Sequence, residues 1–381
     1  MNDRPILGRR YWNGFSGGPC VTIGPRSSLL IVGPTQAGKT SSLVVPALLR
    51  WRDAVIVTSV KSDVIEATSK WRRSLGDVQI LEPGRDGGLT WDPLEGVSTL
   101  RHATRVARDL TLETDRGEGA FWNALATKLV ASLLILAHER GASIFDVARV
   151  VERHDLASWL SSRPSVAGDI VRSFLDYDPK TLDGVVTTAE AMLMPWRFDQ
   201  PLAAVRRVVT GANTLYLCSP RGEQRHYEPL FRGALRMVLE EQQRHVDEGH
   251  GRRLLLVLDE AATVASLDEL DQLAATVSGL GVTLVTVVQD FAQLVARWGP
   301  RAATIVNNHT TRIVLGGLAD ATVGTYLPEL VESRPEVPSV PIRRRPRGTG
   351  LVVAEGRVVF HVRLRPWWRD RRLRDRGVRP R

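Results

Sequence analysis

One octapeptide constrains this chain more than any other feature: Gly33-Pro34-Thr35-Gln36-Ala37-Gly38-Lys39-Thr40 satisfies G-x-x-x-x-G-K-[ST]. The pattern has meaning only between a strand and a helix. Here the apolar run Leu29-Leu30-Ile31-Val32 leads in, and Ser41-Ser42-Leu43-Val44-Val45 leads out. Glycines at 33 and 38 let successive backbone N–H groups turn inward on a phosphate, while the following helix points its positive end at the same place. Lys39 adds a mobile charge, and Thr40 the hydroxyl that a phosphate-bound Mg²⁺ needs. The predicted nucleotide contacts are Gly33, Pro34, Thr35, Gln36, Ala37, Gly38, Lys39, Thr40 and Ser41. Lysine is rare, five among 51 basic residues, which lowers the odds of a chance match at Lys39.

Around that loop the hydrophobic periodicity alternates. Val21-Thr22-Ile23 and the segment ending at Val32 read as two short strands about Gly24-Pro25. A helix to about Arg50, a strand over 54–58, a helix over 63–75 and a strand over 78–81 follow, a pattern that calls for a parallel sheet covered on both faces. From about Ser98 helix follows helix, over 102–112, 120–140, 144–151, 156–161, 166–175 and 182–194. Strands resume over 213–218, 254–258, 283–288 and 311–315. The expected class is therefore α/β with a mostly parallel sheet and an inserted all-α domain. The expected bounds are 1–97 and 206–342 for the two parts of the nucleotide-binding domain, 98–205 for the insertion, and 343–381 for C-terminal strands and an arginine-rich tail.

A chain of 381 residues suits two structural units, and 43% apolar with 24% charged residues is ordinary for a globular protein. The charge distribution is not even. Residues 343–381 hold fourteen arginines against Glu355, Asp370 and Asp375, a balance of +11, so the net +9 leaves −2 for everything before. Such a run reads either as a solvated, partly disordered tail or as a contact for phosphate or an anionic membrane surface. Cys20 and Cys218 fit no metal-ligand spacing, so a reduced cytosolic compartment is expected. No signal peptide is visible. The apolar stretch 129–137 is shorter than a bilayer crossing, and a buried core helix is expected there.

Two further strand ends carry chemistry. The apolar run 254–258 ends in Asp259, suited to hold Mg²⁺ through a water, and Glu260, suited to take a proton from an attacking water. Asp259 alone would suit a switch; the pair argues for hydrolysis. Val287-Val288-Gln289-Asp290 puts an amide where it can sense a γ-phosphate or orient water. Lys61 and Asp63 stand at another strand end, with a surface salt bridge as the plain alternative.

The order of these motifs, with Ser59-Val60-Lys61-Ser62-Asp63, Phe121-Trp122, Leu258-Asp259-Glu260-Ala261, Gln289 to Gln293, Ile305-Val306-Asn307-Asn308-His309 and Arg365-Pro366-Trp367-Trp368-Arg369-Asp370, resembles the coupling-protein ATPases of conjugation and type IV secretion, the TraG/TraD type. The resemblance runs from about Gly18 to about Asp375. It implies a RecA-like P-loop NTPase core that binds ATP and Mg²⁺, assembles as a homo-oligomeric, usually hexameric, ring, and drives DNA or a relaxase-DNA nucleoprotein into a secretion channel. The helical domain is associated in that family with relaxosome or substrate recognition. In those terms Lys39, Glu260 and Gln289 are the catalytic residues, with Thr40 and Asp259 on Mg²⁺. The expected location is cytoplasmic, with peripheral contact on the inner face of a bacterial membrane through a partner or the basic tail.

Two departures qualify the resemblance. Family members usually begin with membrane-spanning helices, whereas about thirty polar residues with Arg4, Arg9 and Arg10 precede this loop. The anchor then resides on a partner, the member is soluble or peripheral, or the chain was shortened. Many relatives also place an arginine before a glycine where this chain has Ser278-Gly279, so a finger from elsewhere is required, with Arg297, Arg301 and Arg312 as candidates. Two other readings stay open: a nucleotide-gated docking protein for relaxase or channel components with slow hydrolysis, and a duplex-DNA translocase of the chromosome-segregation kind. Phe121 and Trp122 read as core of the helical domain rather than a stacking platform, and Asn307, Asn308 and His309 as turn residues.

Overall fold

The computed structural model describes residues 4–379 except 11–17, 25, 60–61, 84–87, 112–117, 162–163, 220–221, 264–266, 268, 319–344 and 355–357. Lys61 therefore lies outside the described residues. The strands are β1 (Ile6–Arg10), β2 (Cys20–Thr22), β3 (Ser28–Val32), β4 (Ala54–Ser59), β5 (Val78–Leu81), β6 (Thr90–Trp91), β7 (Leu202–Ala203), β8 (Thr214–Cys218), β9 (Leu254–Leu258), β10 (Val282–Val288), β11 (Thr311–Leu315), β12 (Thr349–Ala354) and β13 (Val358–Arg363). All but β6 and β7 join one sheet in the order β2-β1-β13-β12-β11-β3-β10-β9-β4-β8-β5. From β11 through β8 the pairing is parallel; β12, β13, β1 and β2 extend the sheet antiparallel.

The central strands β3, β4, β8, β9 and β10 are buried along their whole length. Near-continuous Val, Leu and Ile runs are what a parallel strand covered on both faces requires. Their common direction brings every loop-bearing carboxyl end to one edge. The structure adds a strand the periodicity does not announce. β1 carries Arg9 and Arg10 and pairs antiparallel with β13, so its strand character comes from a partner at the other end of the chain.

Two compact units emerge: residues 1–79, 206–221 and 238–381, which hold nearly all of the sheet, and residues 80–205 with 222–237. The second unit thus takes in 80–97 and 222–237 beside the 98–205 read from the sequence. Trp91 shows why. It is fully buried, edge-on to Trp196 at 5.9 Å, donates its indole N–H to the Leu230 carbonyl at 2.9 Å, and its own carbonyl accepts from Trp196 Nε1 at 2.7 Å.

The helices of this second unit are α3 (Leu100–Asp109), α4 (Glu118–Arg140), α5 (Ile144–Glu152), α6 (Val166–Leu175) and α7 (Pro179–Leu193), and the first part of α8 (Gln224–Asp247) belongs to it as well. Among its described residues the unit is mainly helical, with the end of β5 and the short β6–β7 pair, and 156–161 forms only a single turn of 3₁₀ helix, Leu156–Trp159. Helix α4 runs 23 residues, close to the helix expected over 120–140 and extending beyond the apolar stretch 129–137. Its stretch from Gly119 to Arg140 is long and apolar enough to cross a membrane by length and composition alone. Within the unit, Leu129, Val130, Leu133, Leu134 and Ala137 of α4 are completely buried, and the helix packs against α3, α5, α6 and α7.

Candidate functional site: a phosphate loop with three strand ends

Three neighbouring strands build the site, all within the sheet unit. β3 and β9 flank β10 at about 4.8 Å on either side. Register sets Val32 beside Val288, and Leu258 beside Thr286, two residues earlier on β10. Gly33 consequently emerges beside Gln289, with Asp259 and Glu260 on the far side of β10.

The loop itself is shaped by local sterics. A side chain at 33 would place its Cβ 2.8 Å from Leu315, and Gly38 adopts φ +89°, a conformation L-residues rarely take. Gln36 also has positive φ, 63°. The Lys39 ammonium donates to the carbonyls of Gly33 and of Pro34, the latter at 3.0 Å. The helix after the loop starts as a wide π turn, Thr40–Val44, before becoming α1 (Val45–Arg50). Pro46 accounts for this: it has no N–H to give the preceding turn, and its ring would crowd the carbonyl there.

Asp259 is buried, and its carbonyl accepts from Thr58 Oγ1 at 3.1 Å. Glu260 sits in the left-handed region, φ 55°, as a non-glycine. Such a residue carries about 1–2 kcal/mol of backbone strain. Hydrogen bonds from Ala261 N–H to Val287 O and from Thr263 N–H to Glu260 O hold the turn. On β10's exit, Asp290 caps α10 (Phe291–Trp298) by accepting from the Gln293 N–H at 2.8 Å, and Gln293 Oε1 accepts the Gln289 N–H at 2.9 Å. The Gln-Asp-x-Ala-Gln segment is thus a reciprocal cap that fixes where the backbone of Gln289 leaves the sheet.

One cavity of about 270 Å³ joins these parts, lined by Thr35 to Ser41, Asp259, Glu260 and Gln289. Of the predicted contacts, Gly33 and Pro34 are not part of that lining, and their carbonyls accept from the Lys39 ammonium. Asp63, first residue of α2 (Asp63–Arg73), lines it too, with one carboxylate oxygen accepting the Val64 N–H at 2.9 Å. The same lining includes Val45, Ala67, Trp367 and Trp368. Nothing in the spacing of Arg365-Pro366-Trp367-Trp368 assigns the tryptophans to this cavity.

The residues fit a Mg²⁺-nucleotide. The glycine cradle admits phosphate against backbone, and one hydroxyl with one carboxylate suits Mg²⁺, which keeps waters and substrate oxygens rather than a protein cage. Among the described residues there is no cluster of three or more His, Cys, Asp or Glu able to hold a metal alone.

Other expectations resolve differently. Arg312 is buried and donates to the carbonyls of Val306 and Asn307 at 2.7 Å, capping α11 (Arg301–Asn308), so it is unsuited to be a finger. Arg301 is held by both oxygens of Asp271, whose carboxyl it keeps below the usual range. Ser278 is exposed just before β10, at the sheet edge opposite the loop. His309 is no turn residue: it is fully buried, giving its Nδ1 proton to Ile305 O and accepting from Thr286 Oγ1, and burial lowers its pKa to about 4. Phe121 is 57% exposed rather than core, while Trp122 packs over Gly184. The described end of the C-terminal segment packs rather than trailing in solvent: Trp367 and Leu373 are buried with Val45, Leu49 and Ala67.

The family described as "Type IV secretory system Conjugative DNA transfer" matches residues 8–331. The conjugal transfer protein TraG of Escherichia coli is 24% identical over 313 residues, 71% of this chain and 49% of TraG. VirD4 of Agrobacterium fabrum is 25% identical over 345 residues, 82% of this chain and 51% of VirD4. The chain spans about half the length of these relatives. The unbound structure of the bacterial conjugative coupling protein TrwB shares the fold with a TM-score of 0.73 at 18% identity, covering 94% of this chain and 89% of that one. A TrwB complex with ADP and Mg²⁺ matches at 0.69 and 17% identity, covering 90% and 85%. With a RecA-like P-loop core and a match over most of its length, this chain belongs to the type IV secretory system conjugative DNA transfer family.

Proposed function

We propose that this chain is an ATP-hydrolysing coupling protein that recruits DNA or a relaxase-DNA nucleoprotein and drives it towards a type IV secretion channel, working as a ring, usually hexameric, of identical subunits. The observation that carries the reading is the convergence of the phosphate loop, the Asp259-Glu260 pair and Gln289 on one cavity from three adjacent strands. Loop amides and Lys39 bind the phosphates, the ammonium exchanging the Gly33 and Pro34 carbonyls for phosphate oxygens. Thr40 and Asp259 would hold Mg²⁺, which supplies neutralisation of charge on the β- and γ-phosphates. Glu260 accepts the proton of the attacking water, and Gln289 orients that water or reports the γ-phosphate. Its fuel and substrate place the reaction in the cytoplasm, at the inner face of the membrane that holds the channel.

A nucleotide-gated docking protein with slow turnover is the second reading. It is favoured by the engagement of Arg312 with backbone and of Arg301 with Asp271, and by Ser278 at the edge away from the loop.

Steady-state ATP hydrolysis, alone and with single- or double-stranded DNA, tests the proposal, with Lys39→Ala as the blank. Stimulation by DNA, and loss of turnover by about 100-fold or more in Glu260→Gln with nucleotide binding retained, are expected. Binding without turnover under every condition would favour the docking reading, and unchanged hydrolysis in Glu260→Gln would remove that residue from its role.

A further inference from the structure

We infer that the Trp367-Trp368 turn is the base-binding part of the nucleotide cavity, with the Trp368 indole as a stacking surface for the purine of a nucleoside triphosphate. This rests on the nucleotide-binding reading above and adds what recognises the other half of the molecule.

The cavity lining is of two chemical kinds. The loop, Asp63, Asp259, Glu260 and Gln289 offer backbone amides, hydroxyls, an ammonium, an amide and carboxylates; Val45, Ala67, Trp367 and Trp368 offer apolar and aromatic surface. A triphosphate needs the first environment and a planar, weakly polar base the second. The two tryptophans divide the work. Trp367 is 2% exposed and packs among Val45, Leu49, Ala67 and Leu373, so it anchors the turn. Trp368 is only half-buried, set edge-on to Trp367 at 5.9 Å and 79°. The part of that ring not covered by the protein lies on the cavity that the phosphate loop also lines, where an aromatic face suits a planar base.

The turn is held on the helices that follow the loop and β4. Val378 N–H donates to Ala67 O at 3.1 Å, Arg376 donates to Leu49 O at 2.9 Å, and the Arg376 guanidinium lies 4.5 Å from the Trp71 ring centroid. Arg379 stands 5.2 Å from the Trp368 centroid and steadies that ring in turn. These contacts are made by the protein alone, so the stacking surface is preorganised. Stacking reads the area of a base rather than its edge. ATP and GTP should therefore bind alike, and CTP and UTP more weakly.

The test is calorimetric titration of the full chain with Mg-ATP, Mg-CTP and inorganic tripolyphosphate, in wild type, Trp368→Ala and Trp368→Phe. Expected are an ATP affinity roughly tenfold above that for tripolyphosphate, a loss of roughly that factor for ATP in Trp368→Ala, and recovery of most of it in Trp368→Phe. Unchanged tripolyphosphate binding in Trp368→Ala shows that the variant is folded and its loop intact. Equal ATP affinity in Trp368→Ala and wild type, with ATP still preferred over tripolyphosphate, would overturn the inference while leaving the phosphate loop in place. A wild-type chain that binds neither ATP nor tripolyphosphate would overturn the nucleotide reading itself.

Discussion

The sheet unit and the helical unit satisfy their backbones by different means. In the sheet unit, crossovers leave carbonyls at strand ends and loops under the covering helices, and long buried donors reach them. Fully buried Arg72 of α2 donates to Thr214 Oγ1 at 2.7 Å, to the carbonyls of Trp51 and Asp53 at 2.6 Å, and to that of Ala212 at 3.1 Å. Burial lowers its pKa to about 10, so it stays charged at neutral pH. Arg312 and His309 act similarly around α11. Helices close their hydrogen bonds internally and leave only their ends to be met. In the helical unit the N-termini are met by Thr99, Ser143, Ser165 and Asp178, with Ser143 and Asp146 forming a full capping box. The contrast is one of degree, since buried Arg232 there donates to Asp109 and Thr111 carbonyls. What it teaches is that the helical unit meets its helix ends locally, while the sheet unit relies on a few buried polar side chains, Arg72 among them, to satisfy the carbonyls where β4 and β8 begin.

The sharpest way to break this contrast is Arg72→Ala. Four acceptors lose their donor, and about 3–5 kcal/mol of stability should go, read from urea unfolding at neutral pH. Arg72→Lys should recover little, because one ammonium cannot span four acceptors. A cost under about 1 kcal/mol would show that the hub does not organise the sheet.

A slightly smaller effect is expected from pH. The folded-state pKa of His309, about 4, lies below the ordinary 6.5 because of burial and the nearby Arg312 charge. The unfolded chain therefore binds the proton more readily. Stability from this residue is present in full above about pH 6.5 and declines as pH falls towards 4, by about 3 kcal/mol. His309→Asn should flatten that part of the stability profile. An unchanged slope between pH 6.5 and 4 would assign it to other groups.

The smallest effect belongs to the helical unit. Gly184 lies in α7, where an added Cβ would sit 2.8 Å from the Trp122 ring. Gly184→Ala gains helix propensity but overpacks that ring, for a net cost of about 1 kcal/mol seen as a lowered thermal midpoint. Stabilisation instead would mean that Trp122, on the rim beside exposed Phe121, moves aside freely.

Much of the site was legible because a parallel sheet forces loops of consecutive strands to one edge. Once Val32, Leu258 and Val288 end apolar runs, the loop, Asp259-Glu260 and Gln289 must meet near one another. The helical unit was legible as helices, but its exposed side chains were not. Phe121 reads as core from composition, yet it stands at the start of α4, before the stretch where neighbours surround that helix. β1 was missed because its strand character comes from β13 rather than from its own alternation.

Local pattern by itself determined the phosphate loop, the acid pair, the buried strands and the helical insertion, since each depends on residues within a turn or strand of one another. Only the tertiary structure decided that Trp367 and Trp368 line the loop's cavity, that Arg312 caps a helix, and that Glu260 sits at positive φ. The tryptophans join segments far apart in the chain, and no periodicity within a segment encodes a distant partner; the Arg312 cap and the Glu260 turn are local, but they are side-chain and backbone conformations that a pattern of apolar residues does not specify.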